Sequence, residues 1–384
     1  MLNEDNNQKC LYLMSSNASE EYILDTLETL ALPSDAAHHF RYQLKWIDKN
    51  LKNKLRVKGE TKNSLFENMQ VIVSYLYQNY NKNKNDKEKW KWNKIFPLRT
   101  GILMDAYKTG NEDDVDVAHF YFKIKNYFYY KNQDFTEIMK KNAKQNFGKN
   151  YAFLNFPFYE KYVASKKDNK SALHKICQSN IFEKFITAKD GVKHYPLSYI
   201  IDNLKDANGN VVMPQYYPNC HKSFYELEEG DCYYLDLETY YPKEPKKFRI
   251  ELKFDKKIIS IPGNKLEIKS RYNEESFMFV SSLLEKDVLS FIRIKTNSEI
   301  EENLKKNHKL KILNLDITLP IKIKKKQLYR VIDTVSEIGF GIGTGLIALS
   351  AVLGDKWKVS YWYYVIFFYL AWIVCKFIIK LWRG

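Results

Sequence analysis

The chain contains 384 residues, of which 45% are hydrophobic, and carries a formal net charge of +15. This length leaves room for two soluble domains, and the hydrophobic content is ordinary for folded protein, so the chain can build real cores. Its five cysteines are scattered and odd in number, which argues against a disulfide framework and favours reduced thiols in the cytosol. The positive charge predicts an anionic partner, either nucleic acid or the acidic inner leaflet of a membrane.

The first segments predict a mixture of strands and helices. Lys9–Ser15 has the pattern of a strand, and Glu20–Leu32 that of a helix whose N-cap is Ser19. The segment His39–Trp46 fits both periodicities, but its aromatic residues alternate with arginine and lysine, which favours a strand. Asn68–Tyr77 is an apolar segment that fits either type.

A lysine-rich run, Lys82–Lys94, interrupts this pattern with six lysines and two tryptophans. Interleaved basic and aromatic residues can bind single-stranded nucleic acid or the interface of a membrane. Two acidic residues dilute the run, and a solvated loop is the alternative. The residues that would form such a contact are Lys89, Trp90, Lys91, Trp92 and Lys94.

Ile102–Tyr107 and Val117–Tyr130 predict a β-hairpin, because their side chains alternate and an acidic, glycine-containing connection joins them. A helix is predicted over Asp134–Phe147 and a shorter one over Ala172–Ile186. The carboxylates of the connection could in principle hold Ca²⁺ or Mg²⁺, but they do not match an EF-hand loop. These acids are Glu112, Asp113, Asp114 and Asp116.

The second half of the chain predicts a small β-sandwich. Turn signals occur at Asn208–Gly209 and at Pro262–Gly263, and short strands recur at the spacing typical of a sandwich or barrel. We therefore expect an α+β domain over 1–165 and a β-rich, sandwich-like domain over 190–323. The five predicted strands with the clearest patterns are Phe248–Phe254, Lys265–Lys269, Phe277–Val280, Ser290–Lys295 and Lys309–Ile323.

Residues with catalytic or metal-binding chemistry are sparse. Cys220, His221 and Cys232 could supply three zinc ligands, but they lack the paired spacing of a zinc motif. His38 and His39 beside Asp35 suggest acid–base chemistry, yet adjacent residues of a strand face opposite sides. The sequence contains no Walker A, HExxH or GxSxG motif, so we predict no catalytic residue, cofactor or metal.

The region 326–384 predicts a two-helix transmembrane hairpin. Ile338–Gly354 and Val359–Cys375 each contain 17 residues without a charge. At about 1.5 Å per residue each run covers about 25 Å, slightly less than the hydrocarbon core of a bilayer. Tryptophan and tyrosine cluster near the ends of the second run, as they do at membrane interfaces. A helical hairpin buried in a soluble core is the alternative.

Basic residues predict the orientation of this hairpin. Eight flank its outer ends, whereas the connecting loop has two, which places both termini and the large N-terminal part in the cytoplasm. The first ten residues lack the basic and apolar regions of a signal peptide, so none is expected. The eight flanking residues are candidates for binding anionic lipid: Lys322, Lys324, Lys325, Lys326, Arg330, Lys376, Lys380 and Arg383.

Small residues give the first apolar run a surface that another helix can approach closely. Gly339 and Gly343 lie four residues apart, as do Gly341 and Gly345, and Ala348 extends the surface. Two interpretations are open. The first helix packs on the second helix of its own hairpin, or the same surface packs between subunits and lines a leak in an oligomer.

This layout resembles the membrane effectors of bacterial anti-phage systems, including those that accompany short Argonautes. The resemblance lies in the order of the parts and in the hairpin, Gly339–Leu353 and Val359–Cys375, rather than in a motif. It implies that the chain damages or depolarises the inner membrane once a sensor protein encoded nearby recognises invading nucleic acid. Because two helices alone cannot enclose a conducting path, a leak would require a homo-oligomer. A membrane-tethered module that holds a partner protein, nucleic acid or anionic lipid without toxicity is the alternative function.

Overall fold

The structure is a computed structural model of the chain. It describes residues 9–61, 64–78, 92–112, 115–128, 150–157, 162–165, 168, 186–187, 193–240, 248–268, 272–284, 286–298, 310–353 and 359–383. Within these residues the protein is rich in β-structure, with three sheets, two short helices and two long C-terminal helices. The predicted helix over Asp134–Phe147 lies outside the described residues, as does the predicted helix over Ala172–Ile186 except for Ile186, which begins a strand.

The first sheet has seven strands in the order β2-β6-β5-β4-β1-β7, with β3 paired to β5. β1 pairs with β4 in parallel, whereas the hairpins β4–β5 and β5–β6 are antiparallel. Helix α1, Glu20–Ala31, packs on this sheet, and the short helix α2 covers Lys49–Lys54. The strands are β1 Lys9–Ser16, β2 Ala37–Gln43, β3 Arg56–Val57, β4 Gln70–Gln78, β5 Trp92–Glu112, β6 Val115–Tyr127 and β7 Ala152–Pro157.

The structure confirms the predicted strand and helix at the start of the chain. The Ser19 hydroxyl accepts a hydrogen bond from the Tyr22 N–H at 3.5 Å, as an N-cap does. The ambiguous segment His39–Trp46 is a strand up to Gln43 and then a 3₁₀ turn, Leu44–Trp46. The segment Asn68–Tyr77 contains all but the last residue of β4, and most of this strand is buried on both faces of the sheet, which explains why the segment shows no alternation.

The predicted β-hairpin is confirmed, but it is longer than the sequence indicated. Most of the acidic connection continues strand β5, which extends over 21 residues, and β6 begins at Val115. Asp113 and Asp114 lie outside the described residues. On β6 the apolar residues Phe120, Phe122 and Ile124 are fully buried, because the sheet packs this face into the core.

The second region contains two six-stranded sheets, in the orders β10-β11-β19-β17-β13-β15 and β14-β16-β12-β9-β18, with β8 paired to β9. The strands are β8 Ile186–Thr187, β9 Lys193–Asp206, β10 Gln215–Tyr217, β11 Lys222–Glu228, β12 Cys232–Tyr240, β13 Phe248–Phe254, β14 Ile259–Ser260, β15 Lys265–Ile268, β16 Tyr272–Ser281, β17 Val288–Ser298, β18 Leu310–Asn314 and β19 Asp316–Lys324.

The two six-stranded sheets meet at Tyr199 of β9. Its hydroxyl donates to the Ile294 carbonyl at 2.7 Å and accepts the Ile317 N–H at 3.1 Å, and both partners belong to the other sheet. The sandwich geometry itself stays a prediction. The predicted turn at Asn208–Gly209 is confirmed, with Gly209 at φ +81°, whereas Pro262–Gly263 joins strands of different sheets.

The prediction of one continuous strand over Lys309–Ile323 is wrong. The segment divides at Leu315 into β18, which pairs with β9, and β19, which pairs with β17 in the other sheet. The Thr296 hydroxyl accepts the Leu315 N–H at 2.8 Å, and the Thr296 N–H donates to the Leu315 carbonyl at 3.0 Å. These bonds satisfy the backbone groups at the point where the chain changes sheets. The alternation of buried and exposed side chains continues through this point.

One hydrophobic cluster runs through both regions. It includes Leu13 and Phe120 of the first sheet as well as Tyr225 and Leu319 of the second region. The first sheet uses residues 9–157 and the other two use 186–324, and the division of this part into two domains stays a prediction. Beyond the sheets lie the two long helices, α3 Gln327–Leu353 and α4 Val359–Arg383.

Candidate membrane-inserting hairpin

Helices α3 and α4 are long and apolar enough to cross a membrane. The apolar spans are Thr334–Val352, with 19 residues, and Tyr361–Ile378, with 18. At about 1.5 Å per residue these spans are about 28 and 27 Å long, close to the thickness of a hydrocarbon core. Only 11% and 6% of the residues in the two windows are buried. A core hairpin of a soluble protein would be mostly covered, so this exposure is compatible with insertion into lipid.

The two helices contact each other through aromatic and polar side chains. The Phe340 ring of α3 lies 5.5 Å from the Tyr369 ring and 5.1 Å from the Trp372 ring of α4. The Thr344 and Tyr369 hydroxyls are 3.0 Å apart. These two hydroxyls therefore partner each other across the hairpin, as polar groups in lipid require.

The two glycine pairs have the same spacing in the sequence, but the structure places them in different surroundings. A Cβ added at Gly343 would lie 3.0 Å from the Tyr369 ring, and one at Gly339 would lie 3.7 Å from the Phe368 carbonyl, so this pair faces α4. A Cβ at Gly341 or Gly345 would meet nothing within 4 Å. Ala348 is exposed as well. One glycine pair therefore packs inside the hairpin, and the other leaves an open, smooth surface on α3.

An ion pair joins the two helices at the end of the hairpin that lies away from the connecting loop. Glu337 of α3 and Lys376 of α4 are 2.9 Å apart. Sequence reasoning treated Lys376 as a lipid-binding residue and did not consider Glu337, which precedes the charge-free run. The signal was available, because an antiparallel hairpin brings the start of its first helix to the end of its second.

The lysines that precede α3 lie beside carboxylates of the protein. Glu226 of β11 contacts the ammonium group of Lys324, and the Lys322 ammonium is 3.9 Å from it. The Lys326 ammonium is 2.7 Å from Asp231. Partial burial raises the pKa of Glu226, but hydrogen bonds from Lys324 and Tyr217 outweigh it and lower the pKa overall. Any anionic lipid that bound the predicted lysines would have to compete with these carboxylates.

Two further acids hold the backbone of the junction between β19 and α3. Glu229 is fully buried, and its carboxylate accepts the Lys326 N–H at 3.2 Å and the Leu284 N–H at 2.7 Å. Asp287 accepts the Lys325 N–H at 3.0 Å. We call Glu229, Asp231 and Asp287 the acidic clamp. It fixes the direction in which α3 leaves the sheet, and sequence analysis did not find it because the three acids lie far along the chain from Lys325 and Lys326.

The structure describes only some of the other residues that were predicted to contact lipid or nucleic acid. The Lys325 side chain is 9% exposed, so it is nearly buried at the junction. Arg330 lies in α3, whereas Lys380 and Arg383 lie in α4, and their side chains fall outside the described part. In the lysine-rich run, Trp92 and Lys94 belong to β5, where they pair with Gln78 and Tyr77, and Lys89, Trp90 and Lys91 lie outside the described residues.

The adjacent histidines of β2 face opposite sides, as predicted. His38 is buried against Phe122, and burial lowers its pKa to about 3. His39 stacks on Tyr121 at 4.2 Å, and its Nε2 lies 3.1 Å from Nδ1 of His119. Burial, followed by the neighbouring His119, lowers the pKa of His39 to about 4. Both imidazoles are therefore neutral packing groups near pH 7.

The three residues considered for zinc do not converge. His221 turns toward the first sheet, and its Nε2 lies 3.6 Å from Asp105. Cys220 is exposed, and its thiol donates to the Tyr217 carbonyl at 3.7 Å, while Cys232 begins β12. No group of three or more histidine, cysteine, aspartate or glutamate residues in the described part of the chain is placed to hold a metal ion.

The chain matches no protein family model and no curated protein. The hairpin is thus the clearest candidate site, because it combines exposed apolar surface, an open glycine pair and a clamped connection to the sheets. Chemically, such a site has the apolar surface to insert into lipid and the small residues to pack against other helices.

Proposed function

We propose that the chain is a membrane-anchored effector of a bacterial defence system. In this proposal the hairpin spans the inner membrane, and both termini and the β-rich part are cytoplasmic. A sensor protein encoded nearby activates the chain, which then oligomerises and depolarises the membrane. Neither a cofactor nor a catalytic residue takes part.

The observation that carries this proposal is the open surface of α3 at Gly341 and Gly345. Two helices cannot enclose a conducting path, so disruption of a membrane requires several hairpins. Glycines four residues apart let helix backbones approach closely, and these two glycines face away from α4. They are therefore free to pack against a neighbouring subunit without any change in the hairpin itself.

The clamped junction supports the same function. Strand β19 ends at Lys324 and α3 begins at Gln327, so only two residues separate the sheet from the helix. The acidic clamp holds both of these residues through their backbone N–H groups. A movement of the sheet on binding a sensor would be transmitted to α3, because a flexible linker does not intervene.

The test is the inner-membrane potential of bacteria, read with a voltage-sensitive dye after induction. We compare the full chain with a version that ends near Lys326, each with and without the neighbouring gene products. Depolarisation is expected only with the hairpin and the activating partner. An unchanged potential in every combination, with the protein located in the membrane, would contradict the proposal.

A pair of matched double variants sharpens this experiment. Gly341→Leu with Gly345→Leu fills the open surface and should abolish depolarisation, since the added side chains meet nothing within the hairpin. Val335→Leu with Val352→Leu adds bulk to other exposed positions of α3, which are 55% and 82% exposed, and should keep activity. Both variants must remain in the membrane for the comparison to count.

A tethered binding module is the second candidate. The observation in its favour is that Gly339 and Gly343 already pack against α4, so the hairpin is complete as a single-subunit anchor. In that case the cytoplasmic sheets hold a partner protein, nucleic acid or anionic lipid, and the glycine double variant keeps both its localisation and its partner.

A further inference from the structure

Trp46 presents an exposed indole ring beside strand β2 of the first sheet. It closes the 3₁₀ turn that follows β2 and is 37% exposed, although the next residue, Ile47, is only 5% exposed. The Tyr151 N–H donates to the Trp46 carbonyl at 2.7 Å, and the two rings meet edge to face with their centroids 5.9 Å apart. The indole is therefore held in place while part of its surface stays open to solvent.

Three lysines lie close to this ring along the chain. The Lys45 ammonium is 5.4 Å from the centroid of the indole. Lys49 follows Trp46 by three residues, so their Cα atoms are at most about 11 Å apart. Lys49 and Lys52 lie in helix α2 with the i, i+3 spacing that makes side chains neighbours. The Asp48 carboxylate accepts two backbone N–H groups of the first turn of α2, which fixes the helix and the spacing of its lysines.

These lysines give the surface an excess of positive charge. The segment 41–58 contains seven basic residues and one acid. Lys45 and Lys49 are exposed and Lys52 is half-buried, and no carboxylate in the described part of the chain forms an ion pair with any of the three. The acids of α1 lie beside Tyr22 instead. A polyanion can therefore approach the indole along α2 more favourably than along α1.

We propose that this surface, Trp46 with Lys45, Lys49 and Lys52, binds single-stranded nucleic acid. One base stacks on the open part of the indole, and the ammonium groups contact the phosphates on either side of that base. A single strand fits this chemistry better than a duplex, because a duplex keeps the faces of its bases stacked and offers mainly its phosphates. The site uses none of the residues of the lysine-rich run. It goes beyond the proposed membrane function and does not depend on it, because it lies outside the hairpin.

Three fluorescein-labelled probes of equal length, about twelve nucleotides, test the site. They are oligothymidine, an abasic strand with the same phosphates, and a duplex. The detergent-solubilised full chain is titrated with each probe, and binding is followed by fluorescence anisotropy at several salt concentrations. Oligothymidine should bind at least about fivefold more tightly than the abasic strand, as expected for stacking of one base, and more tightly than the duplex. Equal binding of oligothymidine and the abasic strand, a preference for the duplex, or no binding of oligothymidine would overturn the proposal.

Substitution of the aromatic ring then locates the binding. Trp46→Ala should weaken binding of oligothymidine at least about fivefold and leave binding of the abasic strand unchanged, because it removes stacking alone. Phe291→Ala is the matched control, since Phe291 is an aromatic residue of similar exposure, 44%, in the second region, and it should leave both affinities unchanged. If Trp46→Ala binds oligothymidine as the control does, the indole is not a stacking surface and the proposal is wrong.

The lysines are tested separately by the salt dependence of binding. Lys49→Gln with Lys52→Gln should reduce the slope of log affinity against log salt by about 1.4, because each phosphate contact on a single strand contributes about 0.7. Lys253→Gln with Lys257→Gln removes the same charge at exposed positions of the second region and should keep the slope. Equal slopes in the two double variants would contradict the proposal. This comparison also decides the case should Trp46→Ala fail to fold.

Discussion

The first sheet and the C-terminal hairpin distribute their polar and apolar groups in opposite ways. In the first sheet a charged guanidinium, Arg99, is buried and all of its donors meet oxygen atoms of the protein. In the hairpin, large apolar side chains such as Val352 and Phe367 are 82% and 63% exposed. Water suits the first arrangement and lipid suits the second. The two parts are therefore suited to different solvents, and each should respond to a different kind of disturbance.

The largest loss of stability is expected from substitution of Arg99, in the β-rich part. Replacing it with methionine keeps most of the volume but leaves the carbonyls of Leu32 and Lys125 buried without these donors. The free energy of unfolding of the β-rich part should fall by about 3–5 kcal/mol, as when one partner of a buried charged network is removed. Chemical denaturation followed by tryptophan fluorescence measures it.

Arg249→Met is the control for this substitution. Arg249 pairs with Glu267 on the surface, where both side chains are well exposed, so its loss should change stability by less than about 1 kcal/mol. Membrane localisation should survive in both variants, because the hairpin makes its own contacts. Release of the Arg99→Met protein from the membrane would show that the two parts are not independent.

The next prediction concerns the pH dependence of stability, which should differ between the β-rich part and the hairpin. Burial depresses the pKa of His39 from 6.5 to about 4, so the unfolded chain binds a proton between these values and the folded chain does not. Stability from this group is complete above pH 6.5 and is lost as the pH falls toward 4, with a total of about 3 kcal/mol.

His39→Gln should flatten this dependence. The variant and the unsubstituted chain are compared by denaturation at several pH values between 7.5 and 4.5, and the difference between their slopes isolates His39 from other titrating groups. Above pH 7 the slopes should agree, which serves as the internal control. Identical slopes down to pH 4.5 would show that His39 does not control this pH dependence. Packing between α3 and α4 should not follow the same curve.

Much of this contrast follows from local sequence. Charge-free runs predict α3 and α4, Ser19 predicts the start of α1, and alternation predicts the buried face of β6. These features depend on residues close together in the chain, where side-chain period and capping decide the structure.

The features that sequence reasoning missed depend on distant residues. Leu315 changes sheets because Thr296 satisfies its backbone, and nothing in the alternating pattern marks that point. The acidic clamp joins Glu229 and Asp287 to the residues before α3 across long separations. Likewise, the two glycine pairs have the same spacing, and only the position of α4 distinguishes them.

The smallest effect concerns those glycines and tests the C-terminal hairpin. Gly343→Ala places a Cβ 3.0 and 3.2 Å from the Tyr369 ring, so the helices must separate slightly, and the hairpin should lose about 1 kcal/mol. Gly341→Ala meets nothing within 4 Å and should be neutral or stabilising by up to about 1 kcal/mol, since alanine favours the helix. Titration with a denaturing detergent, followed by the helical circular dichroism signal, measures both. Equal losses would mean that Gly341 also has a close neighbour within the hairpin, and the open surface on which the proposed assembly depends would not exist. A loss at Gly343 alone would leave Gly341 available to a second subunit.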